Sequence, residues 1–194
     1  MSIQKTALVI LPEIYGCNEF AVGVQEKYRQ MGLDVFCPNL WMRPAFSYDE
    51  ISTAYAYFQR NIGFQAYRDI DYLLEELQAA YDRVFVLGFS VGGTLAWRCS
   101  ALGHVDGAIA CYGSRIRDYP EVEPVCPTLL LFAEHDSFSV TALIRQLAGK
   151  KCVRTAVLPA KHGFLDREGP NYCRQQAEAG WRQIDSFMTK ILSE

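Results

Sequence analysis

Serine 90 stands in the run Gly88-Phe89-Ser90-Val91-Gly92-Gly93. A serine hydroxyl becomes a useful nucleophile only when a base takes its proton and a third group orients that base. Chance yields a G-x-S-x-G about once in fifteen chains of this length, so the setting matters more than the pattern. Here the apolar run Arg83–Leu87 precedes the motif and a helical stretch from Val91 follows it. A strand, a sharp turn and a helix would lift the hydroxyl out of a sheet, with glycines where a Cβ has no room. The helix would aim its N-terminal N–H groups at the same place. The plainer reading is a glycine-rich turn that packs a helix closely onto a strand.

Three histidines compete for the role of base: His104, His135 and His162. His104 lies past a helix end in Leu102-Gly103-His104 and reads as a solvated cap. His135 follows Glu134, just after the strand-like run Thr128–Ala133. His162 follows Val153–Leu158, on a loop expected at the same edge as Ser90. Asp136 lies on the loop before it and reads as the orienting carboxylate. The order Ser90, Asp136, His162 gives nucleophile, orienter and base. A phosphate-binding loop is the competing use of the glycines. It is disfavoured because Gly88–Gly93 lacks both a Lys-Ser/Thr ending and G-x-G-x-x-G spacing.

The elements that must position these groups alternate. Short apolar runs (Ala7–Leu11, Val35–Cys37, Arg83–Leu87, Gly107–Cys111, Thr128–Ala133, Val153–Leu158) read as strands buried on both faces. Between them lie helical stretches: Glu19–Met31, Tyr48–Gln59, Gln65–Ala80, Val91–Leu102 and Val140–Leu147, with Asn171–Leu192 closing the chain. Ile70, Leu73, Leu74 and Leu77 share one helical face, as do Trp181, Ile184, Phe187 and Met188. Alternation of this kind predicts an α/β fold with a parallel sheet. Loops rich in Pro and Gly follow the strands, where an open α/β sheet builds its ligand crevice.

The chain has 194 residues, the size of a single domain over residues 1–194. Half of it is apolar, 21% is charged, and the net charge is −3 with signs interspersed. That argues against nucleic acid as the main partner. Seven cysteines are scattered without a CxxC pair, so neither a metal site nor a redox motif of that kind is indicated. A reducing cytoplasm fits them best. Met1–Lys5 lacks the pattern of a secretory leader, and no apolar run reaches the roughly 20 residues that span a bilayer.

Taken together in order, several stretches resemble the dienelactone hydrolase family of α/β-hydrolases along nearly the whole chain. They are Pro12-Glu13-Ile14-Tyr15-Gly16-Cys17-Asn18, Cys37-Pro38-Asn39-Leu40-Trp41, Gly88–Gly93, Cys111-Tyr112-Gly113, Pro127–Asp136 and His162-Gly163-Phe164. The resemblance implies a three-layer fold with six mainly parallel strands in the order 2-1-3-4-5-6 and helices on both faces. It implies Ser90, Asp136 and His162 as the triad, and the backbone N–H groups of Ile14 and Val91 as the oxyanion hole. Glu13 matches a family glutamate that reaches the nucleophile; its alternative is to cap the helix that starts near Asn18. The expected activity is hydrolysis of a small ester or lactone, with no metal or organic cofactor. A thioesterase, an acyl transferase or a non-catalytic small-ligand binder on the same fold are the alternatives.

Two departures from the family stand out. The namesake enzymes carry cysteine where this chain has Ser90. They also hold a substrate carboxylate with arginines, at positions where this chain has Ile51 and Asp166. Arg43, Arg60 and Arg167 are the arginines that could substitute. Tyr15, Trp41, Tyr55, Phe58 and Tyr112 fall on or near the loops above Ser90. Trp41, Tyr55, Tyr112 and Phe164 are expected to bind the substrate. The sequence is silent on oligomeric state.

Overall fold

A computed structural model describes residues 4–193; Met1–Ile3, the start of the Met1–Lys5 stretch, and Glu194 lie outside the described residues. Six strands form one sheet: β1 (Thr6–Leu11), β2 (Asp34–Phe36), β3 (Arg83–Phe89), β4 (Gly107–Cys111), β5 (Thr128–His135) and β6 (Val153–Lys161). Their order is β2-β1-β3-β4-β5-β6 and every pairing is parallel. The chain reverses its direction of travel across the sheet between β1 and β3. Loops leaving the carboxyl ends of such a pair diverge and open a crevice.

The central strands are apolar throughout because both faces are covered. All residues of β1 and β4 are buried. Strands β2 and β6 differ from the expectation of two buried faces. Most of β2 is half-buried, and Arg154, Thr155 and Val157 of β6 are exposed. Both are edge strands, so one neighbour and part of the covering layer are missing.

Helices α1 (Glu19–Gln30) and α6 (Arg174–Leu192) cover one face, packing on Leu8, Ile10, Phe85, Leu87 and Ile109. The opposite face carries α2 (Ile51–Asn61), α3 (Tyr67–Ala80), α4 (Val91–Cys99) and α5 (Val140–Gln146), packed on Ala7, Val9, Leu11, Val84 and Val86. Ile70, Leu74 and Leu77 are the buried stripe of α3. Tight 3₁₀ turns at Tyr48–Glu50 and Phe64–Ala66 replace the expected first turns of two helices. The closing helix starts at Arg174 rather than Asn171. Asn171 instead donates to the carbonyl of His162 (2.9 Å), and the Cys173 N–H to that of Phe164 (3.3 Å). No described helix is long and apolar enough to cross a membrane.

The turn from β3 into α4 has almost no free space. A Cβ on Gly88 would meet the Gly92 carbonyl oxygen at 2.0 Å, and one on Gly92 would meet the Leu11 oxygen at 2.1 Å. Ser90 between them has φ 54° and ψ −113°, a conformation that costs a residue with a Cβ about 1–3 kcal/mol. Packing on both sides over-determines it. Ser90 N–H donates to Cys111 O (3.0 Å) and Thr94 N–H to Ser90 O (3.1 Å). Gly92→Ala is therefore expected to cost about 3 kcal/mol, because both colliding groups are backbone. Urea unfolding of wild type and variant measures this; a cost under ~1 kcal/mol would contradict the close packing.

Candidate active site

Strand β3 leads into the turn that carries Ser90, Asp136 directly follows β5, and His162 directly follows β6. Three parallel strands thus deliver the three side chains to one edge of the sheet. His162 Nε2 lies 2.9 Å from Ser90 Oγ, and its Nδ1 lies 2.7 Å from Asp136 Oδ2. The other Asp136 oxygen accepts from the Ser137 N–H (2.6 Å) and hydroxyl (3.2 Å). The aspartate side chain is 3% exposed, whereas the imidazole is 32% exposed toward the cleft.

Electrostatics follow from this chain. Burial pushes Asp136 up, but the His162 hydrogen bond and charge, aided by Ser137, hold it below its usual range. Burial likewise works against a charged His162, but the Asp136 hydrogen bond and charge, with the charge of Glu13, raise it above 6.5. A ring held this way keeps its proton on Nδ1 and leaves Nε2 free to accept from Ser90.

Glu13 sits on the loop after β1 and is buried. Burial pushes its carboxyl up from 4.5 to about 7, partly offset by the charge of His162. Glu13 Oε1 and the Tyr112 hydroxyl are each buried without a hydrogen-bond partner among the described residues. The capping alternative fails: Asn18 is the cap of α1, accepting from the Ala21 N–H at 3.0 Å.

The cleft above these groups encloses about 970 Å³, at the upper end for small-molecule sites. Ile14 and Val91 border it beside Ser90. Among the described residues, neither N–H donates to another protein group. Tyr55 lines the cleft as expected. Trp41, Tyr112 and Phe164 do not; all three are buried beneath its walls. Trp41 donates from its indole to Ile14 O (3.0 Å), and its ring fills the space beside Gly16. Tyr112 packs its ring edge against His162 at 5.0 Å between centroids, and Phe164 packs behind Tyr112. These side chains position the site rather than line it. His135 borders the cleft without a bond to Ser90, and His104 pairs with Asp71 (2.7 Å) elsewhere.

None of the substitute arginines lines the cleft. Arg43 stacks on Phe46 and Arg60 borders a separate shallow hollow. The cleft cations are Arg115, Arg117 and Lys161. Arg115 donates from Nε (3.2 Å) and Nη2 (2.9 Å) to the Tyr55 hydroxyl and from Nη1 to Asp118 (3.1 Å). Both arginines lie in a 3₁₀ turn, Ser114–Asp118, directly after β4. Their position after a strand's carboxyl end was the available signal. Ile51 and Asp166, the positions at which the namesake enzymes are expected to differ, both line the cleft. Asp166 is buried and accepts from the Tyr48 hydroxyl at 2.6 Å. Among the described residues, no group of three or more His, Cys, Asp or Glu is arranged to hold a metal ion.

A serine, an aspartate and a histidine gathered at the carboxyl ends of β3, β5 and β6 of a doubly wound parallel sheet fit the α/β-hydrolase class. Residues 1–192 match the dienelactone hydrolase family, and the chain belongs to that family. It is 33% identical over 176 residues to the uncharacterised protein YczH of Bacillus subtilis (strain 168), covering 88% of this chain and 86% of that one. It is 30% identical over 213 residues to the carboxymethylenebutenolidase of Pseudomonas putida, covering 96% and 86%. A proposed dienelactone hydrolase of Klebsiella pneumoniae subsp. pneumoniae MGH 78578 shares the fold, with a TM-score of 0.81 at 19% identity over 96% of this chain and 87% of that one.

The buried Glu13 makes a signed stability prediction. Its ordinary pKa is 4.5 and its folded value about 7, so between these the folded chain holds a proton that the unfolded chain has lost. Stability from this group is present at low pH and fades as pH rises through that window, by up to about 3 kcal/mol. Glu13→Gln should therefore gain stability relative to wild type between pH 5 and pH 8. Thermal unfolding at both pH values tests it; an unchanged difference in Tm would refute the shift.

Proposed function

We propose that the protein is a serine hydrolase that cleaves a small carboxylic ester or lactone through an acyl-enzyme on Ser90. The observation that carries this is the continuous chain Ser90–His162–Asp136, with contacts of 2.9 and 2.7 Å at the floor of the cleft. His162 Nε2 takes the Ser90 proton as Oγ attacks the carbonyl carbon. The backbone N–H groups of Ile14 and Val91 receive the developing oxyanion, each worth about 3–4 kcal/mol when so aimed. The imidazolium, steadied by Asp136, gives its proton to the departing alkoxide. In a lactone that alkoxide stays tethered to the acyl group. Water then attacks the acyl-enzyme, with His162 again as base.

Glu13 acts on His162 rather than on the substrate. When ionised it favours the imidazolium that forms in each half-reaction. Tyr55 acts as a donor to a polar substrate group. Arg115 supplies two N–H groups to its oxygen, which leaves the phenolic proton free to point into the cleft. Trp41, Tyr112 and Phe164 hold the Ile14 loop and the imidazole in place. The reading needs no metal or organic cofactor. It takes residues 1–194 as one domain, and the cysteine usage supports the cytoplasm as its compartment. Thioester cleavage and acyl transfer use the same steps, so a panel of oxygen esters, lactones and thioesters separates them.

Two outcomes are expected with p-nitrophenyl acetate. Ser90→Ala should fall to background, and Asp136→Asn should lose about 10⁴-fold in kcat with its fold intact. Only neutral His162 can accept the Ser90 proton, so kcat/KM should rise with pH, with its midpoint above 6.5. A Ser90→Ala variant that keeps its activity, or a midpoint below 6.5, would overturn the assignment.

A further inference from the structure

Strands β1 and β2 run side by side, with Val9 opposite Phe36. Their carboxyl ends therefore release two neighbouring segments. One is the loop that carries Glu13, Ile14 and Cys17. The other begins at Cys37 and leads to Trp41. Cys17 Sγ lies 3.9 Å from Cys37 Sγ, the one sulfur–sulfur contact among the described residues. Cys17 is exposed and Cys37 half-buried, whereas Cys99, Cys111 and Cys126 are fully buried. Neither Cys17 nor Cys37 has a place in the hydrolytic chemistry.

We propose that Cys17 and Cys37 form a reversible redox dithiol, which a low-molecular-weight disulfide oxidises to an intramolecular disulfide. The exposed Cys17 thiolate attacks one sulfur of the reagent. That forms a mixed disulfide and releases one thiolate, which takes up the proton Cys17 lost. Cys37 then loses its proton and attacks the Cys17 sulfur. The second thiolate leaves and is protonated in turn. Two protein thiols are oxidised, and one external disulfide is reduced to two thiols. The sulfurs need to approach by roughly 2 Å to reach bonding distance, which rotation of an exposed side chain can supply.

The order of steps follows from the surroundings. Burial pushes the Cys37 thiol up to about 12, together with the charge of Cys17 and a hydrogen bond to it, while Arg29 pulls it down. Once Cys17 is in a mixed disulfide, burial still acts on Cys37, but the charge of Cys17 and the hydrogen bond to it are gone while Arg29 remains. Cys37 therefore gives up its proton more readily after its neighbour is modified than before, which places it second in the sequence. The closed bond would tie the Ile14 loop covalently to the end of β2. The Trp41–Ile14 hydrogen bond already joins the same two segments.

The test is incubation of the reduced protein with excess oxidised glutathione, followed by thiol blocking, intact mass and peptide mapping. Wild type should lose two hydrogens, retain no glutathione on this pair, and yield a linked Cys17–Cys37 peptide that dithiothreitol reverses. Cys37→Ser should stop with glutathione trapped on Cys17, and Cys17→Ser should leave Cys37 unmodified. Oxidised wild type should melt on the order of 5 °C higher, because the bond closes a loop across 20 residues. A glutathione adduct that persists on wild-type Cys17, a bond to a different cysteine, or no reaction at either position would overturn the proposal. Ser90→Ala must behave as wild type here, so the result is independent of the hydrolase reading.

Discussion

The rest of the site depends on how closely two backbones approach. Gly92, on the first turn of α4, lies against the Leu11 and Pro12 carbonyls so tightly that a single carbon on it would collide. This one contact locks the Ser90 turn, which follows β3, to the loop that leaves β1. It fixes the position of Ser90 relative to Ile14 and Glu13. It also holds Ser90 in a backbone conformation that an isolated chain would abandon. Cavities and side-chain swaps can relax elsewhere in the core, but a clash of backbone with backbone cannot.

On that frame the site's electrostatics are a coupled pair rather than a lone histidine. Glu13 and His162 each influence the other's ionisation, and Asp136 biases the pair toward the imidazolium. Glu13 pairs with no arginine among the described residues. Asp166, also at the cleft, accepts from the Tyr48 hydroxyl. Cationic character enters the cleft instead from the turn after β4, through Arg115 and Arg117. The cleft therefore has an acidic floor near Glu13 and Asp166 and a basic wall beyond Tyr55. A substrate's polar groups would be read against that layout.

Much of this was legible in the residues. The strand order, the two helical layers and the edge that gathers Ser90, Asp136 and His162 follow from apolar runs, glycines and the family's motifs. What could not be read was the direction of single side chains. Trp41, Tyr112 and Phe164 flank motif residues in sequence, yet all three lie outside the strands, on turns and bends that send them beneath the cleft, Tyr112 with φ 39°. Arg115 and Arg117 carry no motif; only the register of the turn after β4 brings them to the cleft. Edge strands such as Val153–Lys161 look like central ones when their sequence is apolar, because periodicity reports composition and not neighbours.

The most direct test of the central claim is intact-mass spectrometry of the folded protein after exposure to a serine-reactive fluorophosphonate, alongside Ser90→Ala. The account predicts one stoichiometric adduct per chain on wild type, mapped to Ser90 and absent from the variant. A folded wild type that takes up no adduct, or a Ser90→Ala variant that is labelled equally, would contradict it.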